Sequence, residues 1–156
     1  MNALHLILRP TPPQADALLD TMSSFNSARN LVLKEARNSD CFNKYKLSKI
    51  FYHQVKNDFL LPSQLAVSAV TTVVEDHKNR RTPYNYSNTA DVFYDKRVVS
   101  FRSLSVVSLS TTIGRVKVNF TIDKYVLWQD TPTQLGSAIL RCSPERELSL
   151  IAILRE

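Results

Sequence analysis

Glycine is nearly absent: Gly114 and Gly136 are the only two in 156 residues. A glycine-rich phosphate cradle needs several glycines close together, so Walker-type and dinucleotide-binding loops are excluded. Cysteine is equally scarce. Cys41 and Cys142 stand far apart and neither belongs to a CxxC pair, which argues against a disulfide scaffold and for a reducing, cytoplasmic setting. No apolar run approaches the ~20 residues of a membrane span. The start, Met1-Asn2-Ala3-Leu4-His5, lacks the charged region and long apolar core of a signal peptide. A soluble cytoplasmic chain, associated with the nucleoid if it binds nucleic acid, is the expectation.

Negative charge is also missing where it counts. Twenty Lys and Arg against 14 Asp and Glu give a net charge of +6, and the pI is about 9.5. The excess is local. Between Asp40 and Asp58 lie Lys44, Lys46, Lys49 and Lys56 with no acid. Between Asp95 and Asp123 lie Lys96, Arg97, Arg102, Arg115 and Lys117, again with none. Such windows attract polyanions, although a solvated surface is the plainer explanation for any one of them. With 44% hydrophobic and 22% charged residues the composition is that of a folded domain, and a chain this long buries about 70% of its unfolded surface.

Catalytic signatures are lacking as well. His5, His53 and His77 have no metal-binding neighbour at useful spacing, and neither HExxH nor GxSxG occurs. The acids Asp16, Asp20, Glu75, Asp76, Asp91 and Asp95 are scattered, whereas a two-metal nuclease needs carboxylates converging on ions about 3.5–4 Å apart. No metal, cofactor or catalytic residue is expected from this pattern.

What is present is a change of periodicity. Residues 3–9 (ALHLILR) suit one strand, stopped by Pro10. Thr11, Pro12 and Gln14 form a helix-start signal, and Leu18, Met22, Phe25, Val32 and Ala36 continue it as an amphipathic helix over 12–37. A second helix over 45–59 has Leu47, Ile50, Phe51 and Val55 as its expected buried face. Lys46, Lys49, His53 and Lys56 step by three or four on the other side. Leu61-Pro62-Ser63 opens a third, with Leu65, Ala66, Ala69, Val70, Val73 and Val74 inward and Lys78, Arg80 and Arg81 at its basic end. Residues 79–90 read as a polar loop.

Beyond Ala90 the pattern alternates. Turns are expected at Asp95-Lys96, near Ile113-Gly114 and at Ser143-Pro144-Glu145-Arg146, the last between strands over 134–142 and 147–154. A lone first strand needs partners, and pairing it with the later strands leaves the helices as an insertion. The expected fold is α+β: a small antiparallel oligonucleotide-binding-like β-barrel with a three-helix insertion after the first strand. The barrel would take residues 1–10 and 90–156, the insertion 11–89.

Aromatic residues accompany the basic ones. Tyr45 and Tyr52 fall on the basic helix, Tyr84 and Tyr86 follow Arg80-Arg81, and Phe93, Tyr94 and Phe101 surround Lys96-Arg97. Cations for phosphates with rings for bases are what single-strand or heteroduplex binding requires. Most of the phenylalanines (Phe25, Phe51, Phe59, Phe93, Phe101) read as core; Tyr45, Tyr84 and Tyr86 read as exposed rings.

In this order, LHLILRPTPPQADALLDTM with FNSARN, YKLSKIFYHQVKN, LPSQLAVSAV, YDKRVVSF, VSLSTTIGRVKVNF and GSAILRCSPERELSLIAI resemble the N-terminal part of TnpB (OrfB) proteins. These are transposon-encoded RNA-guided nucleases related to type V CRISPR effectors. The resemblance implies a wedge domain with an oligonucleotide-binding-like barrel, a helical recognition lobe inserted after its first strand, and RNA and DNA as partners. It also implies that the catalytic RuvC-like domain would begin about where this sequence stops, so binding without cleavage is expected. Tyr45 and Lys46 match the helix position used near the transposon-adjacent DNA motif, and Ser63, Gln64 and Val67 match a helix start facing it. Val67 departs from the polar residue of that pattern. Lys49, Tyr52, Lys56, Lys78, Arg80, Arg81, Lys96, Arg97, Arg102, Arg115 and Lys117 complete the candidate nucleic-acid contacts. Two other readings remain: a protein-interaction or oligomerisation module, and a metal-dependent nuclease assembled from distant acids.

Overall fold

A computed structural model describes residues 2–127 and 136–155. The chain runs β1 (Asn2–Arg9), α1 (Pro12–Asn38), α2 (Lys44–Asp58), α3 (Ser63–Lys78), then β2 (Val92–Tyr94), β3 (Val99–Phe101), β4 (Val106–Thr111), β5 (Gly114–Leu127), β6 (Ala138–Cys142) and β7 (Leu148–Arg155). The fold is therefore α+β, with three helices inserted after the first strand of an antiparallel, barrel-like sheet. No helix among the described residues is long and apolar enough to cross a membrane.

Helix starts follow the sequence closely. Thr11 caps α1 in a complete capping box with Gln14, and Gln14 Nε2 also donates to the Lys117 carbonyl (2.7 Å), tying the start of α1 to β5. Asn43 caps α2 through the Lys46 N–H. Helix ends are less ordinary. With glycine so rare, the left-handed residue just past each helix is Asp40, Leu60 or Arg80, at φ 49°, 55° and 55°. Cys41 N–H to Ala36 O and Arg81 N–H to Asp76 O close two of these ends in the six-to-one pattern that glycine usually serves.

The sheet order is β2-β6-β7-β1-β5-β4-β3. β1 lies centrally, antiparallel to both β5 and β7. Between His5 and Leu6 its register with β5 shifts, skipping Asp123; the Asp123 carboxylate meets His5 Nδ1 at 2.8 Å. The two edge strands, β2 and β3, are consecutive in the chain. The turn at Asp95-Lys96 occurs where the sequence places it, but the runs on either side do not pair with each other: β2 takes β6 and β3 takes β4. The four residues between them hold the edges together and so bend the sheet into a nearly closed barrel. Tyr94 Oη on β2 reaches the Ser110 carbonyl on β4 (2.8 Å), and Ser110 N–H reaches the Val98 carbonyl (3.0 Å).

Other expectations meet corrections. The strand expected over 134–142 is β6, from Ala138; Gln134 lies outside the described residues. Ile50 is exposed at 65%, because the buried face of α2 is the narrower stripe Leu47, Phe51 and Val55. Phe101, expected in the core, is 42% exposed. Tyr86, expected as an exposed ring, is 7% exposed.

The burial of Tyr86 has a specific cause. The segment between α3 and β2 has no regular structure, so its inward backbone groups need partners from elsewhere. They come from α1. Asn30 Nδ2 donates to the Tyr86 carbonyl (3.0 Å) while Asn30 Oδ1 accepts the Tyr86 N–H (2.7 Å). Asn26 Nδ2 donates to the carbonyls of Asn88 and Ala90, and Arg29 to that of Asp91. The Arg29 guanidinium is buried and lies 3.7 Å from the centre of the Tyr86 ring, whose hydroxyl donates to Asp76 on α3 (2.7 Å).

Two stability consequences follow. Asn30→Ala strands a buried N–H and carbonyl, and should lower unfolding free energy by about 1–3 kcal/mol in urea titrations. Burial, chiefly, holds the hydroxyls of Tyr94 and Tyr86 well above the ordinary tyrosine range, with the bond to Asp76 adding to it for Tyr86. A raised folded pKa gives stability that is complete below the unfolded value near pH ~10 and is lost above it. Urea midpoints should therefore decline from about pH 10 upward, and Tyr94→Phe should make the decline shallower.

Candidate nucleic-acid interface

The basic residues on α2 project from the side opposite its core contacts. At about 100° per residue, Lys46, Lys49, His53 and Lys56 centre roughly 180° from the line through Leu47, Phe51 and Val55. All four are exposed, and none meets a carboxylate among the described residues. From Lys46 to Lys56 the stripe extends about 15 Å along the helix. Tyr45, 78% exposed, stands at its upper end, with Lys44 Nζ 5.2 Å from its ring centre. Tyr52 is half-buried, edge-on to His53 and packed on the core. It forms a wall of the face rather than an open stacking platform.

Stacked rings of Phe42 and His77 (3.7 Å, 6°) bring the start of α2 beside the end of α3. Tyr45 and Lys46 thus share an end of the helix pair with Lys78, Arg80 and Arg81. Lys78 is partly compensated by Glu75 (3.7 Å). Arg80 and Arg81 are exposed. Ser63 and Gln64 occupy the first turn of α3, at the other end, near Lys56. That helix start has no side-chain cap, so its N–H groups keep their partial positive charge. The structure therefore separates Tyr45 and Lys46 from Ser63 and Gln64 by most of the length of α2. Val67 is half-buried one turn further on.

On the barrel, the second acid-free window is partly engaged internally. Arg97 pairs with Asp95 (2.9 Å). That hydrogen bond, chiefly, holds the Asp95 carboxyl below its usual range and the Arg97 guanidinium above it. Arg115 donates to the Ser108 hydroxyl (3.1 Å) and to the Arg97 carbonyl (2.8 Å), which fastens β5 across β4 to the turn before β3. Lys96, Arg102 and Lys117 remain exposed, with Lys96 also near the Asp95 carboxylate. Sequence spacing counts a basic residue but does not register a carboxylate two positions away that folds back on it.

One end of the barrel is apolar. Leu4, Leu6, Phe101, Leu104, Phe120 and Ile122 line a concavity of about 300 Å³, and Leu104 is 88% exposed. Among the described residues, no three His, Cys, Asp or Glu side chains gather as a metal site. Arg29, Asn26 and Asn30 escaped the sequence reading. Their signal was polar residues at i, i+3 and i+4 on the inward side of a helix otherwise lined with apolar residues.

Comparison with protein-family models gives no match, and no curated protein matches the chain.

The contrast between engaged and open cations can be measured by urea unfolding. Arg115→Ala should cost about 1 kcal/mol through its two lost hydrogen bonds. Lys46→Ala, Lys49→Ala and Lys56→Ala should each stay within about 0.5 kcal/mol of the parent.

Proposed function

We infer that this chain is a nucleic-acid-binding module, the guide-RNA and target-DNA-binding part of a TnpB-like RNA-guided nuclease, acting by binding rather than by cleavage. The observation that carries the reading is the α2 face: Lys46, Lys49, His53 and Lys56 in one line, exposed, flanked by Tyr45, with no acid to neutralise them among the described residues. A stripe about 15 Å long suits the phosphates of an extended backbone. The ordered series of segments that resembles TnpB proteins supports the finer assignment. So does the agreement between the architecture expected from that series and the barrel with its helical insertion. Lys96, Arg102 and Lys117 on the barrel offer a second set of backbone contacts.

Binding of this kind is largely counterion release, so affinity for structured RNA and for duplex DNA should fall steeply with salt. Each phosphate neutralised adds about 0.7–0.9 to the log–log slope. The combined variant K46E/K49E/K56E should lower that slope by at least about 2 in filter-binding titrations. A flat salt dependence in the parent, or an unchanged slope in the variant, overturns the assignment.

The apolar barrel mouth favours a second reading, a docking site for a protein partner. Partner capture that survives K46E/K49E/K56E and is lost on Leu104→Asp would favour it over the first.

A further inference from the structure

A second concavity lies between the C-terminal half of α1 and the loop that α1 anchors. Its volume is about 490 Å³, within the ~300–1,000 Å³ of sites that hold a small ligand or a single monomer unit. Lys34, Arg37 and Asn38 border it from the helix, Tyr84 and Asn85 from the loop, and Leu33 contributes apolar surface. No residue lining it is acidic.

The chemistry of this lining is specific. Tyr84 is 86% exposed, although its backbone is fixed. The Arg37 guanidinium donates to the Tyr84 carbonyl (2.7 Å) and to that of Pro83, while Asn30 grips Tyr86 two residues on. The ring therefore stands on an anchored strand of loop and not on a loose tip. The amides of Asn38 and Asn85 are exposed and unpaired among the described residues. Each offers a donor and an acceptor side by side. Lys34 adds a cation that is unpaired among the described residues, and Arg37 braces the wall.

A flat ring, paired amide donors and acceptors, and cations without acids are the elements that recognise one nucleotide out of the stack. The ring takes the base face, the amides its hydrogen-bonding edge and the cations its phosphate. A duplex cannot present a base in this way, because its faces are already stacked. We propose that the groove between α1 and the Pro83–Tyr86 loop binds one unpaired nucleotide of a single-stranded segment, with the base stacked on Tyr84 and Lys34 and Arg37 at the phosphate. The proposal rests on the nucleic-acid reading above but uses different residues, so the two can fail separately.

The test compares a fully paired RNA hairpin with the same hairpin carrying a short single-stranded extension that contains 2-aminopurine. The full chain should bind the extended RNA more tightly and quench the 2-aminopurine. Tyr84→Ala should abolish the quenching and weaken binding of the extended RNA about 5- to 100-fold, with the hairpin affinity and its salt slope unchanged. Tyr84→Phe should retain both properties, because stacking needs the ring and not the hydroxyl. Asn85→Ala together with Asn38→Ala should reduce discrimination among bases at that position and leave the salt slope intact. The thermal midpoint of each variant confirms folding, as these side chains are exposed. An extension that adds no affinity, or an equal loss on both RNAs with Tyr84→Ala, overturns the proposal and leaves the α2 face standing. Failure to bind either RNA overturns both.

Discussion

A buried guanidinium governs the arrangement. Arg29 sits on the inward side of α1, against the Tyr86 ring, with its charge opposed by Asp76 on α3 (3.7 Å). Burial, chiefly, pulls its proton affinity down, and the nearby carboxylates of Asp76 and Asp91 oppose that pull. An isolated charge in such a place would be costly, so each of its neighbours is fixed by the need to answer it. Asp91 extends the chain of contacts: its carbonyl accepts from Arg29, and its carboxylate takes both arms of Arg141 on β6 (3.1 and 2.7 Å). Helix α1, helix α3, the connecting loop and the barrel are joined through this one line of polar contacts. The core is continuous across the same boundary, with Leu6 and Leu8 of β1 in one cluster with Leu18, Phe25 and Leu65.

Positive charge is distributed by a related logic. On the barrel, Arg97 pairs with the Asp95 carboxylate and Arg115 holds a backbone carbonyl and a hydroxyl, while Arg102 is exposed. Where the surface faces away from other elements, lysines predominate and stay unpaired, as on α2. Arginine offers a rigid fork suited to fixed partners, and lysine a mobile point charge suited to a polyanion. The net charge of +6 is thus a poor measure of what is available to a ligand.

The helices were legible in the sequence because their signals are local: a capping box at Thr11, apolar residues at helical spacing, and a proline before Ser63. The apolar residues of their inward faces were legible too, except at Ile50, where one apolar residue beside the stripe cannot be told from a member of it; the polar inward residues Asn26 and Arg29 were not. The strands were legible as strands, since alternation is local, but the pairing of β2 and β3 was not. A short turn between two β-rich runs ordinarily means a hairpin, and only the closure of the whole sheet makes those runs opposite edges. Tyr86 misled for a similar reason. Its neighbours in sequence are polar, and the residues that bury it, Arg29 and Asn30, stand 56 or more positions away. The candidate cations were all visible as residue types, whereas their engagement with Asp95, Glu75 and Ser108 required coordinates.

The central place of β1 sets a timetable. Its partners are residues 119–127 on one side and 149–155 on the other, so during synthesis the apolar segment ALHLIL leaves the ribosome well before either exists. The three helices, whose contacts are mostly local, can form in the interval, while the barrel must wait for almost the whole described chain. Long-range pairing of this kind slows folding and leaves an unpaired apolar strand open to other chains in the meantime.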